Sequence, residues 1–83
     1  MQMNIINTMI NTLADLAIGS SGTVREVHGE PELRRRLLEM GLIPGTIVQL
    51  IRRAPLGDPL ALRLRGYDLS LRTAEARLIQ VGP

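Results

Sequence analysis

Residues 60–65 restrict the fold more than any other stretch. Leu60, Leu62 and Leu64 alternate with Ala61, Arg63 and Arg65, a period of two that puts leucine on one side of a strand and polar groups on the other. A helix would scatter the same residues around its axis, so a sheet with one buried face is required. Residues 46–53 repeat the pattern: β-branched residues are frequent, and Val48 and Leu50 face one way while Ile47, Gln49 and Ile51 face the other. Residues 68–72 follow it too, with Leu69 and Leu71 opposed to Ser70 and Arg72, and residues 78–81 supply a last strand. Residues 23–28, through Val24 and Val27, begin a first one.

One helix interrupts this series. Glu30-Pro31-Glu32 opens it, because proline suits the first helical position and acids suit the positive end of the helix dipole. Leu33, Leu37 and Met40 recur at helical spacing, and Gly41 stands where a left-handed cap ends a helix, which predicts a helix over 31–40 with Leu42 folding back on its last turn. Pro44-Gly45 reads as a type II turn. Thr12-Leu13-Ala14-Asp15 matches a capping box, Gly19-Ser20-Ser21-Gly22 is a loop, Gly66-Tyr67 is a turn, and residues 73–76 form a helical turn. The expected fold is mainly β: a small closed or half-closed barrel of about five strands with one inserted α-helix and short helical turns. Residues 12–83 are its domain and residues 1–11 an N-terminal extension.

Eighty-three residues allow one core. Without cysteine there is no disulfide or thiolate metal site to reinforce it, so aliphatic packing carries the stability. Residues 1–18 are broken by polar side chains before a membrane span or signal peptide is complete, which implies a cytoplasmic protein without direct membrane insertion. The pI near 10.4 contrasts with a net charge of only +2, because every basic residue is arginine and little titrates between the carboxylates and pH 10. It is therefore a weak argument for a polyanion partner.

Catalytic chemistry is poorly supplied. His28 is the only imidazole, no carboxylate cluster marks a metal site, and Gly41-x-x-x-Gly45 lacks the Lys-Ser/Thr of a phosphate loop. The sequence thus predicts no enzyme activity, cofactor or resident metal. Asp58 and Asp68 sit in turns, where such side chains cap local backbone. Arg34-Arg35-Arg36 point about 100° apart on a helix. They form a solvated face paired with Glu30, Glu32 and Glu39, or else they dock an acidic partner or phosphate. Tyr67, the only aromatic, cannot stack bases as a platform. Arg63, Arg65 and Arg72 on one sheet face leave a nucleic-acid-binding or transcription-regulator accessory module as the second reading. Leu56, between Pro55 and Gly57, either caps an open barrel end or presents an apolar contact.

Three segments resemble the FeoA family closely: Leu13-Ala14-Asp15-Leu16 with Gly19 and Gly22; residues 33–45 with their Met40-Gly41-Leu42-Ile43-Pro44-Gly45 end; and Arg53-Ala54-Pro55-Leu56-Gly57-Asp58-Pro59. Order and spacing match over residues 12–81. The resemblance implies an SH3-like barrel and a part in bacterial ferrous iron uptake, in contact with the cytoplasmic region of a FeoB-type transporter and so peripheral to the inner membrane. Transition-metal binding is a family-level association for which these residues offer no ligand set. Similar domains end iron-dependent repressors, but no helix-turn-helix precedes this one. The candidate partner-binding residues are Leu56, Gly57 and Asp58 with Arg35, Arg36, Met40, Leu42 and Ile43, taken as one surface; a homo-oligomer is compatible with the sequence.

Overall fold

A computed structural model describes residues 11–83; the extension expected over residues 1–11 lies outside them except for Asn11. Five antiparallel strands, β1 (Ser21–Val27), β2 (Ile47–Arg53), β3 (Leu60–Leu64), β4 (Tyr67–Leu71) and β5 (Ile79–Gly82), lie in the order β4-β3-β2-β1-β5. Helix α1 (Pro31–Glu39) links β1 to β2, and the single turn α2 (Thr73–Ala76) links β4 to β5. The outer strands β4 and β5 do not pair with each other, so the barrel is half-closed.

The leucine alternation forms the core as expected. Leu60, Leu62, Leu64 and Leu71 meet Val48, Leu50, Val24 and Ile79 inside, all essentially without solvent contact. Two register shifts, at Val24/Glu26 between β1 and β5 and at Leu50/Arg52 between β2 and β3, bend the sheet around this core. Gly22 is buried in β1 because a Cβ there would stand 3.0 Å from the Val81 side chain on β5. Strand β1 therefore begins at Ser21, inside the segment expected to be loop: the glycine marks a close approach of strands.

The capping box at Thr12 is present. Its amide donates to Asp15 Oδ2 at 2.8 Å and its hydroxyl accepts from the Ala14 amide at 3.2 Å, starting a 3₁₀ turn at Leu13–Asp15. Arg53 ties this turn to the end of β2 by donating to the carbonyls of Ala14 and Leu16 at 2.9 and 2.8 Å. Helix α1 stops in a Schellman arrangement, with Leu42 N–H on Leu37 O, Gly41 N–H on Leu38 O and Gly41 at φ 103°. The β3–β4 turn is Arg65-Gly66 rather than Gly66-Tyr67, because Arg65 accepts φ 51° and anchors its guanidinium on Thr46 Oγ1 at 3.1 Å.

Candidate docking surface

Loop 54–59 is short of apolar cover but not of hydrogen bonds. The Ala54 amide donates to Pro59 O, the Gly57 amide donates to Ala54 O, and the Asp58–Pro59 peptide is cis. Asp58 reaches past its own loop to cap α2. Its Oδ1 accepts from the Thr73 amide at 2.6 Å, and the Thr73 hydroxyl lies 2.8 Å from it and 2.9 Å from the Gly57 carbonyl. With the loop's far side tied down, Leu56 is left at the tip, 96% exposed. Of the two readings open for Leu56, the capping of a barrel end is therefore excluded.

The Thr73 amide, and next its hydroxyl, hold the Asp58 carboxyl below the ordinary carboxylate range, with Arg72 and Arg77 adding to the effect. A carboxylate with a lowered folded pKa contributes its anchoring fully above its unfolded value of about 3.9, and loses it only as pH falls through the lower folded value. An NMR titration is thus expected to show the Asp58 carboxyl and the Thr73 amide changing together, with a midpoint below about 3.9. A midpoint at or above that value would mean the tether is not formed in solution.

The structure does not bring all eight candidates together. Met40 and Ile43 lie at the Tyr67 end of the β3–β4 hairpin, since the Tyr67 hydroxyl donates to the Met40 carbonyl. Loop 54–59 leads into Leu60, which pairs with Leu71 at the other end of that hairpin. The intervening four steps of strand separate the two by about 13 Å. Leu42 is fully buried and is a core residue, because the cap that ends α1 turns it inward. Met40 is half-buried, whereas Ile43 and Arg35 are exposed. Arg36 does face the loop side, through a 2.8 Å ion pair with Glu75 of α2.

The arginines of α1 choose partners outside the helix. Arg34 Nε donates to the Val27 carbonyl at 3.0 Å and Arg36 binds Glu75, so the expected pairing with Glu30, Glu32 and Glu39 is absent among the described residues. Exposed pairs along a helix stabilise by only about 0.2–0.5 kcal/mol, and tertiary acceptors displace them. The basic sheet face is also partly spent. Asp68 holds Arg63 at 2.7 and 3.1 Å, an interaction that keeps the Asp68 carboxyl below its usual range, and Arg65 is turned to Thr46.

Sequence reasoning gave no site role to Thr73 or Arg77 and placed Arg72 only on the basic sheet face, yet all three hold or surround Asp58. The usable signal was the start of α2 itself: a threonine two residues before Glu75 opens a turn whose free amides need an acceptor. Among the described residues no three of His, Cys, Asp and Glu gather as a metal site. The His28 side chain pairs with Glu26, at 3.2 Å. A depression of about 350 Å³ between Thr12, Leu16, Ser20, Gly22 and Gly82 includes one carboxylate, that of Asp15, already held by the Thr12 amide.

Comparison with known proteins places this geometry. The family model of the FeoA domain matches residues 11–83. The Fe(2+) transport protein A/Fe(2+) transporter FeoB fusion protein of Porphyromonas gingivalis is 36% identical over 69 residues, which are 83% of this chain but 8% of that protein's length. The NMR structure of a FeoA-like protein from Clostridium acetobutylicum shares 43% identity at a TM-score of 0.81, over 89% of this chain and 86% of that one. The crystal structure of Stenotrophomonas maltophilia FeoA complexed with zinc, described as a procaryotic SH3 domain protein, shares 29% identity at a TM-score of 0.72, over 86% of this chain and 88% of that one.

Proposed function

The chain belongs to the FeoA family, and from that premise we propose that it is a non-enzymatic accessory module of ferrous iron uptake, which docks on the cytoplasmic part of a FeoB-type transporter and regulates it. The observation that carries the reading is the P. gingivalis relative, in which an FeoA-like segment and the transporter are one chain. Such a tether sets effective concentrations in the millimolar range, so the contact it serves needs little affinity of its own. A single apolar anchor with a charged rim suits that requirement. No helix among the described residues is long and apolar enough to cross a membrane, and the module reaches the inner membrane through its partner. Iron is the partner's cargo in this reading.

Loop 54–59 is the proposed anchor. Leu56 is held out between Pro55 and Gly57 by the Asp58–Thr73 tether, so little conformational entropy is lost when it is buried by a partner. Arg35 and Arg36 steer the approach of an acidic surface without adding much affinity. Met40 and Ile43, at the far end of the hairpin, contribute only if the partner spans both ends.

Leu56→Glu is expected to weaken binding to the purified cytoplasmic region of the transporter about tenfold or more, from loss of a buried leucine. The melting temperature should stay within about 3 °C, since the side chain has no packing to lose. Calorimetric titration and thermal melts on the same samples check both. Unchanged affinity would move the docking surface to the Arg63 and Arg72 face. A sequence-selective DNA complex that survives physiological salt would replace the transporter reading with the nucleic-acid one.

A further inference from the structure

Strand β4 is one margin of the sheet. Its two-residue turn makes Leu64 and Tyr67 a hydrogen-bonded pair, after which bonded and unbonded pairs alternate. Tyr67, Leu69 and Leu71 therefore spend their backbone groups on β3, while the N–H and C=O of Asp68 and Ser70 point outward. No hydrogen bond among the described residues satisfies these four groups. The opposite margin is different: Val81 N–H donates to Asn11 O at 3.0 Å, and Thr12 bridges Gln80.

Sheet edges are usually blunted by a bulge, a proline or a lysine. The β3–β4 register runs without a shift, although the β1–β5 and β2–β3 pairs both have one, and Tyr67–Leu71 contains neither proline nor lysine. The one charge on the strand, Asp68, is paired with Arg63 of the same chain in an exposed ion pair. The edge is short and unbroken by any bulge.

We propose that this edge pairs antiparallel with the β4 edge of a second copy of this chain, Asp68 of each copy facing Ser70 of the other across a two-fold axis at Leu69. That register joins all four outward groups of one copy to those of the other and extends the sheet through both molecules. It also sets each carboxylate opposite a hydroxyl. Centring the axis on Asp68 would oppose two carboxylates. Centring it on Ser70 would use the backbone of Arg72, whose N–H is on Glu75 Oε1 and whose carbonyl accepts from Glu75 and Ala76. The contact covers far less than the ~800 Å² per partner of a stable interface, so the pair is weak and forms at high local concentration. It is independent of the transporter reading.

A dilution series of the full chain from about 1 mM to about 20 µM, followed by amide NMR and sedimentation equilibrium, tests this. The Asp68 and Ser70 amides should shift with concentration while Leu69 moves less. Ser70→Asp, which faces Asp68 of the other copy, should weaken association about tenfold, and Ser70→Lys should strengthen it about tenfold, as two cross-strand pairs change together. Ser70→Pro should abolish it without touching the β3 ladder. A chain monomeric at about 1 mM would overturn the proposal, as would a Ser70→Lys variant that associates less.

Discussion

Leu62→Ala is expected to lower the free energy of unfolding by roughly 2–5 kcal/mol. Leu62 is fully buried on β3 and is flanked in register by Leu50 of β2 and Leu69 of β4. Its removal leaves a cavity beside aliphatic side chains held on the two neighbouring strands, which collapse poorly. A domain of this size holds about 4–12 kcal/mol in total, so the loss takes a large share of it. Urea denaturation followed by circular dichroism measures the effect. The volume-conserving Leu62→Met should cost less than about 1.5 kcal/mol. An unchanged midpoint for the alanine variant would contradict the inward facing of the whole alternation.

The second large effect belongs to Gly41. Its φ of 103° already disfavours any side chain, and a Cβ built there would collide with the Tyr67 hydroxyl that bonds Met40 O. Gly41→Ala should therefore cost about 2–3 kcal/mol, of which about 1–2 is backbone conformation and the rest the displaced hydroxyl. The two parts separate in a double-mutant cycle. On a Tyr67→Phe background the alanine should cost less, because the clashing oxygen is gone. Strict additivity would show that the hydroxyl does not sit over Gly41 in solution.

Local chemistry explains what the sequence revealed of the fold. Alternation from Leu60 to Leu64, proline at the start of α1 and glycine after its end each have one cheap structural solution, and each takes it. Errors arose where a distant group decides. Arg65 adopts positive φ, a conformation commoner for asparagine or glycine, while its guanidinium binds Thr46, nineteen residues away. Leu42 folds back on the last turn of α1 as expected, but that same turn buries it in the core and removes it from the docking candidates. In the candidate site, the exposure of Leu56 was an open alternative in sequence because the group that settles it, Thr73, is fifteen residues from Asp58. Residues 40–43 and 54–58 were expected to gather at one end of the barrel, but they lie at opposite ends of β2 and of the β3–β4 hairpin.

The bond between Asn11 and Val81, with the bridge from Thr12 to Gln80, puts the first described residue beside the last strand. Chain therefore enters and leaves the domain through one doorway. A module built in this way can be spliced into a host protein at either end, or inserted within it, with no need for a linker to travel around the fold. The hinge of any such fusion lies on the β5 side of the sheet, where Asn11 and Thr12 meet Val81 and Gln80.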